Sequence, residues 1–520
     1  MTDHNERSSD SSEATSKRRR ILNRRRVLQT TAGVSAIGLA GCSGGGGDGG
    51  DGGDGGSTAT TGGDGGGDGG DGGGDQYDPK AQVVEEWGQK INQHAQEAGI
   101  DWQQFEGTSL IMGMNVHPFT SLAENFLPYF EELTGISVQF NTFPEDQLWQ
   151  KLTLDLNSET GVFDGFFLGL WPSARYHNAG WIKDFNQYIN DSSLTDQDWL
   201  ALDDYPGPVL DAFTYGDDDF IAMPFGVESY GCLAYDVPSL EQVGMEPPTS
   251  YPAMRDAAKA IDEDTDRAGI ASRASSTTLS SANWATMFRS YGADWLDYEA
   301  KEATLNSDQG IASLELFAEL MGDYGPQDIG TFDWYKSNQA MGNGQVGMCY
   351  HTPSAFGVWN QEQIERTEWV APPEGPNGDR IVDTWQWALG ISEFTSNPGA
   401  AWLFLQWATS RPMIKLMNTR RWEGQPVYGP ARTNWLFEED DYIELGPKES
   451  WREAHRTGIQ NVPSDPPPVP LHVPQNMDIM TEAALAMNSA VTDNKSADQA
   501  LNDAAPPITE YAKEIPDSYL

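Results

Sequence analysis

The chain has 520 residues, of which 32 are lysine or arginine and 78 are aspartate or glutamate, giving a net charge of −46. A chain of this length is expected to form about two to four domains or two large lobes. Its 38% of apolar residues suffices for a core, which excludes wholesale disorder. Nucleic-acid binding is disfavoured as well, because so acidic a surface repels a polyanion.

Residues 1–41 have the features of an export signal. A basic stretch that includes Arg24 and Arg25 precedes a modest apolar stretch, which ends in Leu39-Ala40-Gly41-Cys42. That stretch is shorter than the roughly 20 residues of a membrane span, and a weak transmembrane anchor is the alternative interpretation. The arginine pair resembles a twin-arginine signal, and the residues up to Cys42 resemble a lipobox. We therefore expect cleavage before Cys42, a lipid on its sulfur, and a location on the extracellular face of the cytoplasmic membrane.

Residues 42–76 are predicted to be a lipid-bearing cysteine followed by a tether. Positions 43–75 are almost wholly glycine and aspartate, interrupted by Ser57-Thr58-Ala59-Thr60-Thr61. Glycine-rich chains behave as flexible coils and have no apolar surface to bury. The folded part is then expected within residues 77–520.

Strand and helix patterns alternate from residue 107. Apolar runs at 110–116 and 162–168 predict two buried strands, and alternating apolar residues at 136–140 predict a strand between them. One helix is predicted over 122–133, ending at Gly135, and another helix precedes residue 162. This order predicts an α/β lobe with parallel strands.

Two later helices have recognisable beginnings. Asn306-Ser307-Asp308 and Asn397-Pro398 are both predicted to cap and open a helix, because a side-chain oxygen at the cap position accepts from the first backbone amides. The part from residue 107 onward, about 410 residues, suits two α/β lobes with several chain crossings between them.

The chain has three cysteines. With Cys42 in the signal region, Cys232 and Cys349 remain, and both lie in strand-like apolar runs. A disulfide is permitted outside the cell, but two buried free thiols are the favoured interpretation.

The acidic residues are scattered along the chain. Residues 1–41 hold eight basic and four acidic residues, so the remainder has 24 basic against 74 acidic residues, a net charge of −50. Such a surface repels itself at low salt, and about 1 M salt screens that repulsion to a distance of about 3 Å. The pattern resembles that of proteins from salt-loving archaea and predicts loss of structure at low salt.

Several short phrases occur in an order that resembles family 1 of the extracellular solute-binding proteins of sugar-transporting ABC importers. The matching phrases are residues 130–138, 163–165, 179–185, 223–236, 247–251 and 342–348. The resemblance implies an α/β, two-lobe periplasmic-binding-protein-like fold of type II, with a hinge and an interlobe ligand cleft. Lobe 1 is expected roughly at 107–225 and 380–430, and lobe 2 at 228–375 and 435–515.

Further phrases resemble the polyol-binding branch of that family, the sorbitol- and mannitol-type receptors. They are Glu228-Ser229, Tyr324-Gly325-Pro326, and residues 384–389, 407–410 and 429–433. His351 departs from the branch, in which an aspartate is usual at that position, and Tyr428-Gly429-Pro430 varies the phrase before Arg432. The sugar or polyol that the protein binds stays open.

The resemblance implies a receptor that closes on a sugar or polyol and delivers it to ABC permease subunits driven by a cytoplasmic ATPase. We expect a monomer attached to the membrane through its lipid, without a cofactor and without a bound metal. A secreted glycoside hydrolase is the alternative, because the many acids contain suitable carboxylate pairs by chance. A receptor that hands its ligand to a sensory protein is the third possibility.

Carbohydrate chemistry selects the candidate ligand-binding residues. Sugars present hydroxyls for fixed polar groups and C–H faces for aromatic rings, and such groups collect at the carboxyl ends of strands. His117 and Trp171 follow predicted strands, with helix capping and lobe packing as their respective alternatives. Glu228 and Tyr230 lie in the phrase that enters lobe 2, and an interlobe ion pair is the alternative role for Glu228.

The remaining candidates come from later in the chain. Trp385 and Trp387 lie on one face of a predicted strand, so one of them can contact ligand while the other packs in the core. Arg432 resembles the ligand-binding arginine of the polyol branch, with a surface ion pair as the alternative. For Trp284, Trp334 and His351 a structural role is the first interpretation.

Overall fold

The structure is a computed structural model that describes residues 80–216, 218–352, 359–419, 429–463 and 469–520. The predicted export signal with Arg24 and Arg25, the predicted lipidation at Cys42, and the tether up to residue 76 lie outside the described residues. No helix in the described ranges is long and apolar enough to cross a membrane.

The described part alternates strands and helices along most of its length. The strands are β1 (Ser109–Asn115), β2 (Ser137–Phe143), β3 (Gly165–Gly169), β4 (Thr214–Tyr215), β5 (Asp219–Phe220), β6 (Met223–Ser229), β7 (Cys232–Asp236), β8 (Ala268–Ala271), β9 (Leu296–Asp297), β10 (Glu302–Ala303), β11 (Val346–His351), β12 (Thr367–Val370) and β13 (Thr384–Ile391). The helices are α1 (Lys80–Ala95), α2 (Pro118–Glu124), α3 (Leu127–Thr134), α4 (Glu145–Asn157), α5 (Leu170–Asn178), α6 (Asn186–Ile189), α7 (Gln197–Leu200), α8 (Gly207–Asp211), α9 (Val237–Val243), α10 (Tyr251–Asp264), α11 (Ala282–Ser290), α12 (Asp308–Tyr324), α13 (Trp334–Gly342), α14 (Gln361–Arg366), α15 (Pro398–Ala408), α16 (Arg411–Thr419), α17 (Thr433–Leu436), α18 (Asp440–Leu445), α19 (Glu449–Gln460), α20 (Asn476–Val491) and α21 (Ala497–Lys513).

Lobe 1 is built on a five-stranded sheet with the order β2-β1-β3-β13-β6. β1 pairs in parallel with β2 and with β3, which confirms the predicted parallel strands. β3, β6 and β13 are buried along their whole length, which explains their nearly continuous apolar runs. β13 comes from far along the chain and runs antiparallel to both of its neighbours, β3 and β6.

Lobe 2 is built on a four-stranded sheet with the order β12-β7-β11-β8. The chain first crosses from lobe 1 to lobe 2 between β6 and β7, through Tyr230 and Gly231, so the sheet of lobe 1 extends to Ser229. Gly231 has a φ of +78°, and a side chain there would lie 2.7 Å from the hydroxyl of Tyr350. This crossing therefore requires glycine for both its turn and its close packing.

The single helix predicted over 122–133 is wrong, because the structure has two helices, α2 and α3. Pro128 is the second residue of α3 and has no N–H to donate to the carbonyl four residues earlier, which interrupts the helix. The predicted end at Gly135 is confirmed, with a φ of +70°.

The two predicted helix caps have different outcomes. Ser307 caps α12 as predicted, because its hydroxyl accepts from the amide of Gly310 at 3.3 Å. Asn397 precedes α15, but its side chain does not cap that helix, so this part of the prediction is wrong. Its amide instead donates to Asp164 at 3.2 Å, the carboxylate that precedes β3.

Segments outside the predicted elements pack on the two lobes. α1 packs on lobe 1, where Asn92 donates to the carbonyl of Tyr129 at 2.7 Å and accepts from the indole of Trp407 at 3.2 Å. α20 and α21 pack on lobe 2, with Thr509 accepting from the amide of Ala303 at 3.0 Å.

Cys232 and Cys349 are buried and free. They lie on the neighbouring strands β7 and β11, and burial raises the pKa of both thiols to about 12. The predicted pair of buried free thiols is confirmed.

Candidate functional site

A cavity of about 740 Å³ lies between the lobes. From lobe 1 it is lined by one side of α4, by α5, by Trp181 and by the beginning of β13; from lobe 2 it is lined by residues 277–279 and by Met477 in the first turn of α20. Its size is within the usual range of about 300–1,000 Å³ for small-molecule sites.

The sheet of lobe 1 brings four strand ends to one edge of this cavity. β1, β3 and β6 end there, and because β13 is antiparallel to β3 and β6, its first residues lie at the same edge. Trp385 is directly opposite Glu228 in the β13–β6 pair, and Trp387 is opposite Gly169 in the β13–β3 pair. Residues from distant parts of the chain thereby meet at one place.

A row of aromatic rings runs along this edge. Trp171 and Trp385 have ring centroids 6.2 Å apart, Trp385 and Trp387 4.9 Å, and Trp387 and His117 5.5 Å. A side chain at Gly169 would lie 2.9 Å from Trp385 and 3.0 Å from Trp387, so glycine at this position allows both indoles to approach the strand. Trp171 and Trp385 line the cavity, whereas Trp387 packs behind them in the core.

His117 has the capping role that the sequence left open. Its Nδ1 accepts from the amide of Phe119 at 3.1 Å, at the beginning of α2. Burial lowers the pKa of His117 to about 3, so the imidazole is neutral at neutral pH. The ring lies at the inner end of the aromatic row, next to Phe167.

A buried polar cluster surrounds the crossing between the lobes. Glu228, Tyr230 and Asp383 are each at most 3% exposed, and the Tyr230 amide donates to the Asp383 carbonyl at 2.8 Å. The Arg273 guanidinium lies 5.8 Å from the Tyr230 ring centroid, and its Nε donates to His351 at 3.2 Å. The cluster thus joins residues of lobe 1, lobe 2 and the crossing.

The environment of this cluster shifts its ionisation. Burial, and then the charge of Arg273, holds the pKa of His351 well below its ordinary value, so the imidazole is neutral and its Nε2 accepts from the guanidinium. Burial raises the pKa of Asp383 well above its ordinary value.

Trp284 and Arg432 are not brought to the cavity. Trp284 is fully buried in lobe 2, where its indole donates to Ser313 at 3.2 Å. Arg432 is 1% exposed in lobe 1, where it donates to the Thr409 and Leu200 carbonyls at 2.8 and 2.9 Å and pairs with Asp204 at 3.3 Å. Its acidic partner is thus in the interior and not on the surface.

Trp334 begins α13 and lies near the polar cluster. Its ring is half-buried and 6.3 Å from that of His351. It does not line the interlobe cavity.

Arg273, Asp383, Trp149 and Trp181 were not among the predicted site residues. Arg273 follows β8 by two residues, so the rule about carboxyl ends of strands could have found it. Asp383 precedes an antiparallel strand, to which that rule does not apply. Trp149 and Trp181 lie on a helix and in a loop, where their residue type alone does not separate a cavity wall from a core position.

The described residues contain no group of three or more His, Cys, Asp or Glu side chains arranged to hold a metal ion.

Residues 115–413 match the family described as bacterial extracellular solute-binding protein, and the chain belongs to this family. Members of this family are binding proteins and not enzymes. The family therefore supports a binding protein and not the alternative of a glycoside hydrolase.

Three curated relatives show the breadth of the similarity. The erythritol/L-threitol-binding protein of Mycolicibacterium smegmatis is 28% identical over 60% of this chain and 69% of its own length. The mannitol-binding protein of Pseudomonas aeruginosa is 24% identical over 72% of this chain and 86% of its own length. A probable amino-acid ABC transporter periplasmic-binding protein of Sinorhizobium fredii is 23% identical over 74% of this chain and 84% of its own length.

Solved structures share the fold. The solute-binding protein of Agrobacterium radiobacter K84, solved in complex with ribitol, superposes with a TM-score of 0.67 at 18% identity, covering 79% of this chain and 99% of the other. The two-lobed fold of type II, predicted from the sequence, is confirmed.

Proposed function

We propose that the protein is the extracellular receptor of an ABC importer and that it captures a sugar or polyol between its lobes. The observation that carries this proposal is the meeting of Trp171 and Trp385 at one edge of the interlobe cavity, with the buried Glu228 directly opposite Trp385 on the neighbouring strand β6. Indole rings suit the C–H face of a sugar, and a fixed carboxylate accepts strong hydrogen bonds from its hydroxyls. Two of the relatives, the erythritol/L-threitol-binding protein and the mannitol-binding protein, have names that agree with this ligand class.

Binding is proposed to close the two lobes about the chain crossings. One crossing is Tyr230–Gly231, and another is the stretch between β12 and β13, which ends at Asp383. Tyr230 and Asp383 of the polar cluster lie on these crossings, so a ligand that bonds to the cluster stabilises one interlobe arrangement over another. The closed form would then dock on the permease, whose ATPase drives uptake.

Attachment to the outer face of the membrane is proposed from the sequence of residues 1–76. In this proposal the signal is removed, the lipid is attached to Cys42, and the Gly/Asp-rich segment joins the lipid to the receptor. Mass spectrometry of the protein from the membrane fraction is expected to show a mature chain that begins at a lipid-modified Cys42. A mature chain with any other N-terminus would contradict the anchor.

Calorimetric titration with polyols, mono- and disaccharides, and amino acids in high salt tests the ligand class. We expect binding of a carbohydrate or polyol, and about a tenfold loss of affinity in Glu228→Gln, because a charge-assisted hydrogen bond becomes a neutral one. Glu393→Gln is the control, since Glu393 pairs with Lys183 at the surface of lobe 1. Binding of amino acids alone would overturn the proposed ligand class.

Uptake separates an import receptor from a sensory one. Cells that lack the protein are expected to lose uptake of the ligand and to regain it with the wild-type chain. Unchanged uptake with a lost transcriptional or behavioural response would favour the sensory role.

A further inference from the structure

The interlobe cavity is elongated along α4. Glu145, Trp149, Thr153 and Asn157 line it at intervals of four residues, the spacing of one ridge on a helix surface. At a rise of about 1.5 Å per residue, the distance from the first to the last of them is about 18 Å. The cavity therefore extends along nearly the whole helix.

The two ends of the cavity differ in chemistry. At the first turn of α4, the carboxylate of Glu145 lines the cavity. Its charge reaches the polar cluster, where burial, and then Asp383, Glu228 and Glu145 against the opposing charge of Arg273, raises the pKa of Tyr230. At the third turn, Thr153 lies 3.4 Å from the hydroxyl of Tyr176, whose ring packs against Trp181 at 5.6 Å. The inner end thus has the Glu145 carboxylate, and the outer end has aromatic surface.

Trp149 lies between these two ends. Its indole N–H donates to Glu145 at 3.4 Å, which orients the ring, and the side chain is half-buried. Trp181 is half-buried as well and also lines the cavity. The planar rings of Trp149 and Trp181 can stack on a part of the ligand that lies away from the inner end of the cavity.

A free polyol of four to six carbons is too short to use this whole cavity. At single-bond lengths of about 1.5 Å its extended chain is at most about 8 Å long, less than half the length of the ridge along α4. We propose that the ligand contains at least two linked sugar units, as an oligosaccharide or a glycosylated polyol, and that Trp149 and Trp181 form a second subsite for the outer unit. This inference rests on the proposed function and specifies its ligand.

A series of ligands of increasing length tests the inference on the wild-type protein. Calorimetric titration in high salt would compare mannitol, maltose, maltitol and maltotriose. We expect at least one of the three longer ligands to bind at least tenfold more tightly than mannitol. Mannitol binding as tightly as every longer ligand would overturn the second subsite while leaving the proposed receptor function intact. Failure of any polyol or sugar to bind would overturn both.

Two variants locate the gain in affinity. Trp181→Ala and Trp149→Leu are each expected to reduce the ratio of the longer ligand's affinity to that of mannitol at least fivefold. Trp435→Phe is the matched control, because Trp435 packs against Arg411 away from the cavity, and it should leave the ratio unchanged. An unchanged ratio in both cavity variants, each folded by circular dichroism, would overturn the assignment.

Discussion

Burial and hydrogen-bond partners decide what individual residues do in this protein. Trp385 and Trp387 are two positions apart on β13, yet Trp385 lines the cavity and Trp387 packs in the core of lobe 1. Arg432 matches a ligand-binding phrase, but each of its contacts described above lies inside lobe 1. A residue type in the right phrase is therefore a candidate, and its surroundings determine its role.

Arg432→Met is expected to destabilise lobe 1 without weakening ligand binding. Three carbonyl oxygens would each lose one hydrogen bond from Arg432, whereas Asp204 would keep Arg411, so the free energy of unfolding should fall by about 3 kcal/mol. Thermal unfolding in high salt measures this loss, and Arg255→Met at an exposed ion pair is the control. Lost affinity with unchanged stability would instead identify Arg432 as a ligand-contacting residue.

The burial of His455 predicts a loss of stability in mild acid. The side chain is fully buried on α19 between Ser229 and Trp451, and burial lowers its pKa from 6.5 to about 3. The unfolded chain takes up a proton as the pH decreases below about 6.5, while the folded chain does so only near pH 3. The free energy of unfolding therefore decreases as the pH is lowered from about 6.5 to about 3. The loss at pH 5 is about 2 kcal/mol.

The difference between unfolding free energies at pH 7 and pH 5 measures this contribution. His455→Gln is expected to make that difference smaller than in the wild type, whatever its effect at pH 7. An equal difference in both proteins would show that His455 is not responsible.

At the scale of elements, pairing between distant segments holds the lobes in place. The segment after α21 returns to lobe 1, where the hydroxyl of Tyr519 lies 2.7 Å from His177 and donates to the Ala174 carbonyl at 3.2 Å. The same segment is held to lobe 2 by Lys301, which donates to the Ile515 carbonyl at 2.8 Å. This connection joins the lobes in addition to the chain crossings.

Tyr519→Phe removes the hydroxyl from this connection and keeps the ring. We expect the free energy of unfolding to fall by about 1–2 kcal/mol, because two hydrogen bonds in a largely buried site are lost. Tyr511→Phe, at a half-buried tyrosine of α21, is the control and should change stability little. Equal stability of both variants would show that the hydrogen bonds of the Tyr519 hydroxyl do not stabilise the lobe contact.

Local patterns predicted the early strands well and their partners only in part. β1 and β2 follow from apolar runs and alternation, and their parallel pairing follows from the helix between them. The insertion of β13 next to β3 could not be predicted, because more than 200 residues separate the two strands. No local pattern records which distant strand pairs with β3. The same insertion places Trp385 at the cavity.

For the whole molecule, charge predicts dependence on salt. The chain after residue 41 has a net charge of −50, and self-repulsion of this size opposes the compact state. The Debye length falls from about 10 Å at 0.1 M to about 3 Å at 1 M salt, so KCl should raise the melting temperature by about 5 °C or more. Sucrose at equal osmolality is the control, and an equal rise with sucrose would contradict a role for screening.

The sequence by itself determined the charge and the α/β class and favoured two free thiols, because these depend on composition and on patterns within a few tens of residues. The sequence indicated the family through the order of several short phrases. It also indicated a sugar or polyol as ligand through ordered phrases and abundant tryptophan. Only the tertiary structure decided which residues line the cavity. The antiparallel insertion of β13, the burial of Arg432 and the position of Trp181 are set by contacts between segments hundreds of residues apart, and local periodicity carries no record of those contacts.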